Sequence, residues 1–136
     1  MADTLLFQLV SPERLLVETQ VTEVQIPARE GYIGVLPGHA PLLSELSAGG
    51  VLTYTADGVK QVVAVYGGFV EVLPDCVRVL ADIAERKEEI DAAAARAELQ
   101  AAMKEVDSML GGAADPAVAL DQAMRAQAKV DAATNH

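Results

Sequence analysis

His39 is the only internal histidine of this 136-residue chain and Cys76 its only cysteine, so the side chains that ordinarily carry nucleophilic or metal chemistry are few. A nucleophile–histidine–acid set would need Ser44, Ser47 or Cys76 to converge on His39, and neither a nucleophile elbow nor a reactive-cysteine signature is present. One cysteine and one internal histidine do not make a zinc site. No phosphate-cradling GxxxxGK[ST] occurs, and Gly31-x-x-Gly34 runs into Pro37 instead of a helix, which excludes a dinucleotide fingerprint. The expectation is a non-catalytic chain with no metal site. Cys76 reads as a buried or half-buried strand residue in a reducing, cytosolic compartment.

What remains is a backbone motif. Residues 31–43 hold three glycines, two prolines and His39 between apolar neighbours. Glycine admits angles that other residues avoid, and proline fixes its own angle while removing a donor. Such a stretch follows a demanding path, and His39 within it reads as a loop side chain bonded to backbone or facing a partner.

The elements that position this motif change in kind near Ala84. Before it lie short Val- and Leu-rich runs separated by turns: Leu5 to Val10, Leu15 to Gln20, Val21 to Ile26, Val51 to Thr55, Val59 to Tyr66, Phe69 to Leu73 and Cys76 to Leu80. Asp57-Gly58 is a hairpin signal, and Gly67-Gly68 is expected to break a strand. No helical crossovers intervene. The fold class is therefore an N-terminal antiparallel β-sandwich of about ten short strands over residues 1–84. Residues 85–136 read as a C-terminal antiparallel α-helical hairpin. Its first helix runs from about Lys87 to Leu110 and stops at Gly111-Gly112; its second starts at Asp115-Pro116 and runs to about Asp131. Ala92, Ala95, Leu99, Ala102, Val106 and Leu110 form one seam, and Ala119, Ala123, Ala126 and Val130 the other. Small side chains bury little area, so the hairpin is expected to be weakly docked and able to move.

Composition narrows the partners. The net charge is −10 and hydrophobic residues make up 51% of the chain, with aromatics only 4%. Lys and Arg are scattered, with no basic stripe for nucleic acid or an anionic membrane surface. The N-terminus lacks a basic signal region, and no apolar run approaches the roughly 20 residues that span a bilayer. Membrane association would have to run through a protein partner.

Three motifs, in order, carry a family resemblance: Gly31-x-x-Gly34-x-x-Pro37-Gly38-His39-Ala40-Pro41, then Gly67-Gly68-x-x-Glu71-Val72, then Val79-Leu80-Ala81-Asp82 ahead of an Ala-rich helix pair. The chain resembles the epsilon subunit of the F-type ATP synthase, the counterpart of the mitochondrial delta subunit. The resemblance implies a non-catalytic central-stalk (rotor) subunit at the cytoplasmic face of the bacterial plasma membrane. Its partners would be the gamma subunit, the c-subunit ring, and the catalytic beta and alpha subunits. Arg29, Glu30, Gly31 and Tyr32 fall where the family meets the c ring, with Glu30 supplying charge because Tyr32 stands where some relatives carry an acid. His39 and Pro41 fall near the gamma and c-ring contacts.

Two departures follow. Some members bind ATP through Ile/Leu-Asp-x-x-Arg-Ala, but here Arg96 lies five residues after Asp91. On a helix that is about 500°, which points the two to different faces. They read as solvated, and no cofactor is expected. In relatives, bases on the second helix face an acidic segment of the beta subunit; this helix offers only Arg125 and Lys129 against Asp121 and Asp131, so steering to that segment should be weak. The alternatives are a coupling subunit with little inhibition, or a nucleotide-sensing module.

Overall fold

The Asp57-Gly58 pair closes a hairpin, as its sequence predicts: both residues take positive φ, 52° and 75°. It joins β6 (Gly50–Ala56) to β7 (Val59–Leu73), with Ala56 facing Val59 and Gly50 facing Val65. The computed structural model describes residues 3–108 and 116–135. The other strands are β1 (Leu5–Val10), β2 (Leu15–Val21), β3 (Glu23–Ala28), β4 (Gly31–Val35), β5 (Leu42–Glu45) and β8 (Cys76–Arg86). They hydrogen-bond in the order β2-β1-β8-β7-β6-β3-β4, with β5 also on β7. All ladders are antiparallel except β1 with β8.

The sheet has eight strands where the sequence suggested about ten, and Gly67-Gly68 is part of the reason. The pair does not break the strand. Pairing with β8 continues on both sides of it, Tyr66 against Ile83 and Gly68 against Ala81. What changes there is the other neighbour, from β6 to β5. The crossing is closed by Gly67 N–H donating to Ser47 O and Leu46 N–H donating to Gly68 O, both at 2.9 Å. A second difference is that β8 runs to Arg86, past the expected end at Leu80 and the boundary at Ala84. Glu85 and Arg86 pair with Ala64 and Val63.

Between the layers lies an aliphatic core to which Phe7, Leu9, Val21, Ile26, Val35, Leu52, Val65, Val70 and Val79 contribute, all at most 1% exposed. Strand alternation puts these residues inward and their neighbours outward. The segment Val62–Tyr66 departs from alternation and is buried throughout. Continuous burial requires cover on both faces. One face is the core; the other carries Val51, Val62, Ala64 and Tyr66 packed with Ala128 and Ala132 of the second helix.

The hairpin begins later than its sequence suggests. Lys87–Glu89 forms a 3-10 turn, and α1 spans Ala92–Ser108. Asp91 caps α1, its Oδ1 accepting from Ala93 N–H at 3.0 Å and Ala94 N–H at 3.1 Å. An aspartate four residues inside the expected helix competes for backbone donors, and the helix starts where it can satisfy them. The second helix, α2, spans Pro116–Thr134. The expected stop at Gly111-Gly112, the Asp115 cap and Leu110 lie outside the described residues. Among the described residues, no helix is long and apolar enough to cross a membrane.

Candidate functional site

Two ends of the sandwich and one helical interface hold the residues singled out by sequence. The β3–β4 turn carries Arg29 and Glu30, both exposed. Arg29 Nη1 meets Glu45 Oε2 at 2.7 Å, and its N–H donates to Glu45 O. The bond to Glu45 raises the guanidinium pKa further. Tyr32 is 63% exposed, yet its hydroxyl accepts from Val51 N–H at 3.3 Å. It stands beside Gly49, Leu99, Met103 and Ala123, so this turn also abuts the hairpin.

His39 and Pro41 lie elsewhere. β4 runs away from the Arg29 turn and β5 runs back to it, with Ala28 bridging Leu46. The loop 36–41 therefore sits at the far end of both strands. It is tied to the β7–β8 turn by Gly38 N–H donating to Pro74 O at 2.8 Å. His39 Nδ1 lies 2.6 Å from Ala40 O, which assigns the proton to Nδ1. The contact candidates read from sequence thus occupy two surfaces.

Between the two ends the outer face of β5, β7 and β8 is open, from Leu43 near the His39 loop to Phe69, which is paired with Glu45 at the Arg29 end. Leu43 is 72% exposed, and Phe69 and Leu80 on the same face are also exposed. Phe69 and Leu80 are register partners. A polar rung flanks them, in which Arg78 pairs with Glu71 at 3.0 Å and bonds Gln8, which bonds Glu18. These exposed apolar residues were not singled out from sequence. Their signal is an apolar residue at the solvent-facing position of an alternating strand, legible only once the register is known.

At the hairpin, Lys129 differs from its expected role as a base on a free surface. Its Nζ lies 3.1 Å from Glu98 Oε2 on α1 and 3.6 Å from Glu85 Oε1 on β8. Burial lowers its pKa, but bonds to Glu98 and Glu85 outweigh that and raise it. Tyr66 OH donates to the same Glu85 oxygen at 2.9 Å, and burial first, then this bond, push the phenol pKa up. Arg125, Gln122, Tyr66, Glu85, Glu98 and Lys129 line a groove of about 410 Å³ between hairpin and sheet. Asp91 is the cap of α1, and Arg96 is exposed on that helix.

Residues 4–87 match the family model for the ATP synthase, Delta/Epsilon chain, beta-sandwich domain. The chain belongs to that family. It is 55% identical over 131 residues to the ATP synthase epsilon chain of Solibacter usitatus (strain Ellin6076), covering 96% of each. It is 43% identical over 107 residues to that of Brucella anthropi, covering 79% of each. Among solved structures, the fold matches a chain in the Euglena gracilis mitochondrial ATP synthase (OSCP/F1/c-ring), with TM-score 0.76, 23% identity, and 95% of this chain and 79% of that one covered. It also matches a chain in the Tetrahymena thermophila mitochondrial ATP synthase central stalk and c ring, with TM-score 0.65, 14% identity and 96% of each covered. Likeness to the Solibacter usitatus epsilon chain extends through the helices, so it is not confined to the sandwich.

Proposed function

We propose that this chain is a non-catalytic rotor subunit in the central stalk of an F-type ATP synthase, coupling proton-driven rotation to ATP synthesis and restraining ATP hydrolysis through its hairpin. The observation that carries this reading is the asymmetry of the sandwich. One outer face exposes Leu43, Phe69 and Leu80, and the other is covered by a helix whose buried contacts are alanines. The open face suits a permanent neighbour. The alanine seam suits a helix that can leave, since each alanine buries little area.

The gamma subunit is assigned to the open face and the adjoining His39–Pro41 loop, and the c ring to the Arg29–Tyr32 turn at the other end. The catalytic beta and alpha subunits meet the hairpin when it extends. Lys129 is held by Glu98 and Glu85 while the hairpin is docked, so only release would present it with Arg125 to an acidic partner. The complex places the chain peripherally at the cytoplasmic face of the membrane, held there through the c ring. No nucleotide is assigned to Asp91 and Arg96, and calorimetric titration of the isolated chain with ATP should give no heat of binding.

The test is the ATPase activity of a gamma-containing catalytic subcomplex with the full chain, with residues 1–91, and with neither. Saturable binding by both forms with inhibition by the full chain alone supports rotor and brake together. Binding without inhibition leaves coupling and removes the brake. No binding by either form overturns the assignment.

A further inference from the structure

Gly49, next to β6, is not a turn glycine. Its φ lies outside the left-handed region that Gly31, Gly38, Gly58, Gly67 and Gly68 occupy, so its own backbone would accept a side chain. What forbids one is α2. A Cβ at position 49 would lie 2.6 Å from Met124 O and 2.7 Å from Arg125 N and Cα. These are backbone atoms of a helix and cannot swing aside. The neighbouring glycine answers to something else: a Cβ at Gly50 would meet Pro27 Cβ at 2.3 Å, inside the sandwich. Ser47 holds the notch in place, its Oγ donating to Gly49 O at 3.0 Å.

One helical turn beyond Arg125, Lys129 joins three elements, reaching Glu98 on α1 and Glu85 on β8, where Tyr66 also bonds. Gly49 and Lys129 thus mark two points at which α2 touches structure through something other than an alanine methyl.

We propose that Gly49 and Lys129 form a two-point seat for α2, a steric notch and a charged bridge, and that this seat sets how often the hairpin leaves the sandwich. The proposal deepens the reading of the hairpin as a detachable brake and rests on it for its biological meaning. The docked geometry of the seat does not depend on that reading. The three atoms nearest a methyl at position 49 all belong to α2, so the methyl selects against docking. Neutralising Lys129 leaves Glu85 and Glu98 facing each other without the cation between them, which also favours release.

The experiment uses the full chain carrying Cys76→Ser and Val62→Cys. Val62 lies on the outer face of β7 beneath α2, so the thiol at 62 reacts with a maleimide only when the hairpin lifts. Adding Gly49→Ala should raise the labelling rate about tenfold. Adding Lys129→Gln should also raise it. In the parent the rate should climb with added salt, and in Lys129→Gln that dependence should largely vanish, because the screened pairs are gone. Amide exchange in β1 and β8 reports whether the sandwich itself is intact, with Gly50→Ala as the variant that disturbs it. If Gly49→Ala loosens the sandwich, Lys129→Gln and its salt profile decide. Parent-like rates and salt dependence in Lys129→Gln, or in both variants, overturn the seat. Faster labelling in both, with unchanged inhibition of the catalytic subcomplex, keeps the seat and overturns the brake.

Discussion

Gly68 is the residue with the least room. Its φ is +123°, and a Cβ there would lie 2.0 Å from Leu80 O and 2.9 Å from Ala81 Cα. Gly68→Ala combines backbone strain with a collision against a paired strand, and should cost about 3 kcal/mol or more. Thermal unfolding followed by circular dichroism should show a large fall in Tm, whereas Gly31→Ala, with nothing within 4 Å of its Cβ, pays for strain alone. Tyr66 supplies a pH dependence. Its folded pKa is raised by burial and the bond to Glu85, so the native state holds the phenolic proton more tightly than the unfolded chain. Its contribution is fully present below the unfolded value of about 10 and is lost as pH rises above it. Urea unfolding at rising alkaline pH should show this loss, and Tyr66→Phe should reduce it. The motif glycines were legible as backbone demands from sequence alone. Gly49 was not, because its constraint comes from a helix some 75 residues away in the chain and leaves no local signature. His39 and Arg29 were legible as contact candidates, but their separation to opposite ends of β4 required the register.

The elements were legible where local chemistry decides them: the Asp57-Gly58 hairpin, the change from strand to helix, and the seams at Ala95, Ala119, Ala123 and Ala126, which are all buried. They were illegible where a neighbour decides. Gly67-Gly68 looks like a break, yet β8 and the 46–47 segment carry the strand through it. The expected end of β8 at Leu80 failed because Ala81, Ala84 and Glu85 find partners on β7. This has a consequence for dissection. A chain ending at Ala84 loses two paired residues, so it should melt below a chain ending at Asp91, in a direct comparison by calorimetry. Both should bind a hydrophobic dye more strongly than the full chain, since removing α2 bares Val51, Val62, Ala64 and Tyr66. Equal melting temperatures would mean that the last rungs of β8 add nothing to the sandwich.

At the scale of the whole molecule, the open face and the hairpin lie on opposite sides of the sandwich. The Phe69 side of the sheet faces outward from β5, β7 and β8, while α2 covers β6 and the first half of β7. The two faces share no residue and are separated by a core packed like an organic solid. Substitutions on them should therefore act independently. Phe69→Asp places a charge in the exposed apolar row and should weaken binding to a gamma-containing subcomplex about tenfold or more, while leaving the labelling rate of a thiol at position 62 unchanged. Gly49→Ala should do the reverse. The double variant should show both effects with no extra coupling, measured by surface binding for one and labelling for the other. A Phe69→Asp chain whose hairpin also opened would mean that β7 or β8, the two strands that reach both faces, transmits the change. Gamma docking and hairpin release would then be a single equilibrium, and the subunit could not hold its rotor partner while freeing its brake.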